Sequence, residues 1–299
     1  MRIRASVAVV TGALALTALA VPAALADGHA NLAAHIPAAA KGAQAARSVA
    51  AAGQAPSVAA SPADETVGDT RITGVTVNAG KDIVVGTTLK KTFTVSVTAT
   101  DPAGIYDAFA VLWHGANVDQ PDGAIVPATI DQDQVGSCTN SGATTATCKV
   151  TLVADPNDNI YANLLAGTWK VWAGAAANDG DYVIKDAYKT THVQRASKLT
   201  VNAAPEPVKK GRTVTVTGKL SRANWDDLQY HGYTGQPVKL QFRKKDSSTY
   251  TTLKTVTTDS TGNLRTTTTA GVDGYYRFSF AGTTTTPAVS ATGDYVDVQ

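Results

Sequence analysis

Oxygen ligands at loops are the most conspicuous chemical resource of this chain. Asp101 on its own, Asn178, Asp179 and Asp181 together, and Asp155, Asn157 and Asp158 within Asp155-Pro156-Asn157-Asp158-Asn159 supply closely spaced carboxylate and amide oxygens. Ca2+ prefers such hard donors. The same residue types form turns by bonding their side chains to nearby backbone, so calcium binding and simple turn formation are both open. Asp131 and Asp133 add carboxylates without an assignable partner. An EF-hand loop is excluded because it ends in Glu, and the chain holds only Glu65 and Glu206.

Catalytic constellations are not expected. A glycoside hydrolase needs two opposed carboxyl groups. Asp226 and Asp227 are adjacent, and adjacent residues of an extended chain point to opposite sides. No Ser sits in GxSxG, and His29, His35, His114, His192 and His231 lack a spacing such as HExxH. The segment RANWDDLQYHGY does carry Trp225, Tyr230, His231 and Tyr233, a polar and aromatic mixture of the kind that stacks on a sugar ring. It is the candidate ligand patch, with a plain covering loop as the alternative. The expectation is a non-enzymatic chain, with an extracellular carbohydrate-active hydrolase, or its accessory domain, as the competing class.

These groups need a scaffold, and the sequence divides into four parts. Residues 1–26 have a basic head (Arg2, Arg4), an apolar stretch and a closing Ala24-Leu25-Ala26, the pattern of a secretory signal cleaved before Asp27. An uncleaved anchor is the alternative, but the apolar stretch is short for a bilayer. No later run has membrane length, so no span is expected after cleavage. Residues 27–69 are Ala-rich, interrupted by Gly and Pro, and poor in aromatic and β-branched side chains, which predicts a flexible arm without a core. Residues 70–196 and 197–299 then carry short runs with period two. KKTFTVSVTAT puts Phe93, Val95 and Val97 on one face and Thr on the other. YDAFAVLW, CKVTLVAD and GTWKVWAG are read the same way. Trp113, Phe109, Trp169 and Tyr161 are expected in or near the first core. Val238, Leu240 and Phe242, with Tyr276, Phe278 and Phe280, are expected in the second.

Cys138 and Cys148 bracket CTNSGATTATC, which reads as a hairpin tip. Strands flanking a turn near Gly142 to Thr144 bring the two sulfurs opposite one another, and a structural disulfide suits an exported chain. Charge adds little. Without Arg2 and Arg4, 24 basic residues face 24 acidic ones, which argues against nucleic acid. Residues 61–200 are acidic (15 against 10) and 201–299 basic (12 against 8), an asymmetry compatible with domain docking or weak binding to a charged envelope polymer.

VKKGRTVTVTGKLSRANW, GQPVKLQFRKK, TVTTDSTGNLRTT and DGYYRFSFAG together resemble bacterial Ig-like modules of secreted proteins from high-GC Gram-positive bacteria. TATDPAGI and AGTWKVWAGAAANDG are similar to the same class more loosely. The resemblance implies an all-β fold of two antiparallel Ig-like β-sandwich domains in tandem, and a spacer, adhesin or accessory role. Some such proteins are described as calcium-binding, so Ca2+ is the one cofactor to test for. The 155–159 run is similar to the DxNDN linker motif of cadherins, and in an Ig-like topology it faces the second domain. Asp101 and the 178–181 loop meet at the other end. A cell-envelope polymer or an extracellular protein is the expected partner.

Overall fold

The computed structural model describes residues 31–36, 64–128, 130 and 134–299. The leader, most of the arm, His29, Asp131 and Asp133 lie outside them. The first set of strands is β1 (Glu65–Val67), β2 (Arg71–Val77), β3 (Ile83–Val85), β4 (Lys91–Thr100), β5 (Ile105–His114), β6 (Gly123–Ile125), β7 (Ser137–Asn140), β8 (Thr145–Ala154), β9 (Gly167–Ala177) and β10 (Tyr182–Arg195). One sheet runs β2-β4-β8-β7. The other runs β1-β10-β9-β5-β6, with β3 joined parallel to β10. In chain order these are the A-B-E-D and G-F-C groupings of an immunoglobulin-type sandwich.

Alternation builds the first sheet as expected: Phe93, Val95, Val97 and Ala99 of β4 are buried, while Thr92 and Thr94 are exposed. In β5 and β9 the expected alternation fails, because both faces are buried. Their register puts Phe109 beside Gly174 and Val111 beside Trp172 on one face, with Ala110 beside Ala173 and Leu112 beside Val171 on the other. The first of these faces is covered by residues 31–36. There α1 (Leu32–His35) packs on β9, with Leu32 at 1% and Ile36 at 2% exposure, and Leu32 sits above Gly174. β1 also pairs with β10. The expectation of a coreless arm over 27–69 is therefore corrected for 31–36 and 64–69. A half-apolar sheet face needs a cover, and the few large apolar residues of the arm provide one.

The second set comprises β11 (Ser197–Leu199), β12 (Asn202–Ala204), β13 (Thr213–Asn224), β14 (Gln229–Gly232), β15 (Pro237–Lys244), β16 (Thr251–Thr257), β17 (Asn263–Thr269), β18 (Gly274–Phe280), β19 (Val289–Ser290) and β20 (Asp294–Val296). β13 pairs with β11, β12, β14 and β17; β16-β15-β18 form the facing sheet, flanked by β19 and β20. Val214, Val216 and Leu264 meet Val238, Leu240, Tyr276, Phe278 and Phe280 in a second core. Phe242 packs at its margin. Among the described residues no helix is long and apolar enough to cross a membrane.

Two residues of the second set, Ala223 and Trp225, are buried in the first core. Around them the backbone closes a continuous junction. Ala196 N–H donates to Val85 O (2.9 Å), Ala223 N–H to Ala196 O (2.8 Å) and Arg195 N–H to Thr285 O (2.9 Å). Arg195 Nε donates to Ala223 O (2.5 Å) and Gln194 Nε2 to Thr283 O (3.0 Å). Burial, followed by the nearby Arg222 charge, pulls the Arg195 guanidinium down to about 10.

Candidate functional site

At the end of the first sandwich away from this junction, three turns converge. Asp101 follows β4 and is 1% exposed. Its Oδ2 accepts the Thr70 hydroxyl (2.7 Å) and its Oδ1 accepts the Ala103 N–H (2.7 Å). Asn178 ties the turn after β9 to the turn after β4, its N–H donating to Gly104 O (3.0 Å) and its Nδ2 to Ala103 O (3.0 Å). Asp179 Oδ1 accepts the Asp181 N–H (3.2 Å), and Asp181 Oδ2 accepts the Asp69 N–H (3.0 Å). One carboxylate oxygen from each of Asp69, Asp101 and Asp181 lies within 4.8 Å of the other two.

Asp101 and the 178–181 turn meet here through Asn178 and the Ala103-Gly104 backbone. Asp181 joins the three-carboxylate group, while Asp179 accepts the Asp181 N–H within the same turn. Asp69 is the residue that sequence reasoning missed, since it fell at the last position of the presumed arm. Its signal was Gly68-Asp69-Thr70 directly ahead of β2. Gly68 has φ +71°, and a Cβ there would fall 1.6 Å from Asp181 Oδ2, so only glycine brings this turn against the carboxylate. Partial desolvation, then the charges of Asp101, Asp181 and Asp179, push the Asp69 carboxyl above its ordinary value. Like charges gathered in this way are relieved by a proton or a cation.

The second candidate group does not gather in this manner. Asp155 Oδ2 is held by Lys90 Nζ (2.9 Å), and Oδ1 accepts the Asn157 N–H (2.9 Å). Asn159 Oδ1 accepts the Asp155 N–H (2.9 Å), and Asp158 N–H donates to Asp155 O (3.1 Å). Burial alone would raise the Asp155 carboxyl, but the Lys90 ammonium and the Asn157 N–H outweigh it and hold it low. Asp155, Asn157 and Asp158 thus form a turn in which Lys90 supplies the positive charge beside Asp155. The loop does face the second sandwich as expected, but through Asn163. Its N–H donates to Asp226 Oδ1 (3.0 Å) and its Oδ1 accepts the Trp225 N–H (3.0 Å). Its Nδ2 donates to Asn224 Oδ1 and Asp226 Oδ2.

The aromatic patch around Trp225 is corrected as well. Trp225 is 2% exposed, with Nε1 donating to Gly86 O (3.0 Å), so no ring face is left for a sugar. Tyr230 packs against the same core, and Lys198 Nζ lies 3.7 Å from its ring centre. Tyr233 sits edge-on to Phe280 and under the Arg222 guanidinium at 3.9 Å. Only His231 is exposed, and its Nε2 lies 2.6 Å from Asp227 Oδ2. The loop is the joint between the sandwiches.

Among the described residues, the other candidate carboxylates and histidines of the sequence are engaged separately. Asp226 accepts from Asn163, and Asp227 accepts the Gln229 N–H as well as facing His231. His35, His114 and His192 lie within 4 Å of Glu65, Asp122 and Asp82 respectively, each in a different part of the molecule. Cys138 and Cys148 form a disulfide across the β7–β8 ladder, closed by a turn at 141–144. Antibody-type domains bridge their two sheets with cysteine. This bridge stays within one sheet and pins its edge strand.

No protein-family model matches the chain, and no curated protein matches it. Among solved structures it is similar to the D00–D0 domains of intimin, with 14% identity over 74% of this chain and 98% of that one, at TM-score 0.25. It is also similar to the Yersinia pseudotuberculosis adhesin InvE, with 14% identity over 74% and 58% at TM-score 0.23. The ectodomain of mouse nectin-like molecule 4 gives 13% identity over 78% and 64% at TM-score 0.22.

Proposed function

We propose that the chain is a secreted, non-enzymatic Ig-like protein with a binding or structural role at the cell exterior. The observation that carries this reading is the junction. Trp225 and Ala223 of one sandwich complete the core of the other, which makes a jointed support whose outer faces and far pole remain for contact. The leader pattern and a disulfide supplied by the only two cysteines fit an oxidising compartment. Fractionation of the producing cells with intact-mass measurement tests it. The expected product lies outside the cytosol, begins at Asp27 and has its cysteines oxidised; a full-length chain with free thiols inside the cell would contradict the reading.

The convergence of Asp69, Asp101 and Asp181 favours a refinement, in which Ca2+ stabilises the pole. A ligand of the folded state alone raises the melting temperature. Calcium is expected to raise the melting point by several degrees relative to a chelator, and Asp69→Asn to abolish most of that rise. Equal melting in both solutions would leave the pole as a set of turns.

A further inference from the structure

The second sandwich carries a solvent-facing surface that neither its core nor the junction uses. On β15 the residues alternating with buried Val238 and Leu240 are Lys239, Gln241 and Arg243, and Lys245 continues the row. On β18 the row alternating with Tyr276, Phe278 and Phe280 is Tyr275, Arg277 and Ser279. The register places Lys239 beside Ser279, Gln241 beside Arg277 and Arg243 beside Tyr275, with Tyr295 of β20 beyond Tyr275. These two rows hold four cations; the carboxylate beside them is Asp273, which continues the β18 row and lies 4.0 Å from Lys245 Nζ.

The two arginines are set in order by tyrosine rings. Arg243 lies 3.7 Å from the Tyr275 ring centre, and Arg277 lies 3.7 Å from that of Tyr250. Tyr275 and Tyr295 pack at 5.2 Å. Tyr250 lies across Gly293, where a Cβ would come within 2.1 Å of its hydroxyl oxygen. A guanidinium held flat on a ring keeps its fork geometry with little entropy left to lose. Arg277 spends one N–H on Gln241 Oε1 (2.8 Å) and Arg243 one terminal nitrogen on the Lys245 and Ser247 carbonyls (3.3 and 2.8 Å), out of five donors each. Neutral hydrogen-bonding groups lie among the charges, including Gln241, Ser279 and Ser290. Where the row ends at Lys245, a concavity of about 420 Å³ opens, lined by Lys210, Lys244, Lys245, Asp246 and Asp273 among others.

We infer that this face binds a carboxylate-bearing polysaccharide, an inference that rests on the exterior role proposed above and names a partner for it. The row from Lys239 to Lys245 extends about 20 Å at strand rise, which suits a chain of anions better than a single one. Planar guanidinium forks match carboxylates, and the neutral side chains match sugar hydroxyls. Single-stranded nucleic acid is the less favoured polyanion. Its bases stack on open aromatic faces, and here guanidinium groups already occupy faces of Tyr275 and Tyr250.

The test is affinity electrophoresis of the full chain without its leader through gels containing polygalacturonate, neutral dextran or oligo(dT). Retardation by polygalacturonate alone is expected. The exposed pair K239Q/K245Q is expected to weaken it about tenfold without altering the melting temperature. R277Q is expected to weaken it further. No retardation by polygalacturonate at low salt, equal retardation of K239Q/K245Q, or equal retardation by oligo(dT) would overturn the assignment. Localisation of the chain outside the cell would survive any of these results, so failure of this inference is distinguishable from failure of the exterior role.

Discussion

Asp69 shows how a single carboxylate sets the chemistry of the pole. Its carboxyl is raised above the 3.8 of an unperturbed Asp, first by partial desolvation and then by Asp101, Asp181 and Asp179. The folded state therefore holds this proton more tightly than the unfolded chain, and the wild type gains stability as pH falls through the raised value toward 3.8. Without calcium, Asp69→Asn is expected to melt above the wild type at neutral pH, with the gain fading as the buffer is acidified through that window. A variant that melts lower at every pH would contradict a repulsive pole. Asp101 and Asp181 were legible as candidates because their loops adjoin recognisable strands. Asp69 was not, because an Ala-rich stretch gives no periodicity against which to place its final residue. Trp225 shows the opposite failure. Its residue type suggested a stacking platform, but the ring is buried in the first core with Nε1 on Gly86 O at 3.0 Å, and a partner this distant in sequence leaves no local trace.

At the scale of the element, period two located most strands, and it did so best where one face meets solvent, as in β4 and β18. It misjudged β5 and β9, whose second apolar face is covered, among the described residues, by Leu32 and Ile36 from the amino-terminal side. The β7–β8 hairpin was readable because its turn is rich in Ser, Gly and Thr and its cysteines stand in register. β7 is four residues long, and none of its residues is fully buried. The disulfide and the hold of Asp107 on the Val135 and Gly136 N–H groups (2.9 and 2.8 Å) anchor it in place of side-chain burial. Replacing both cysteines by serine is expected to cost up to about 3 kcal/mol, the loop-closure value for a span of this size. Chemical denaturation of the double variant measures it, with no change in stability as the contrary result.

On the scale of the whole molecule, the two cores are joined where residues of the second sandwich enter the first. Bonds from Asn163, Gln194, Arg195 and Ala196 surround Trp225, so the joint combines apolar burial with satisfied polar groups, which ordinary linkers between domains do not do. Truncating a buried Trp costs about 3–5 kcal/mol, and at this position the loss falls on the coupling as well as on the first core. Scanning calorimetry of the wild type and Trp225→Ala is the most direct measurement of the jointed architecture on which the proposed role depends. One cooperative transition for the wild type and two separated transitions for the variant are predicted. Two independent transitions in the wild type, or an unchanged thermogram for Trp225→Ala, would contradict it.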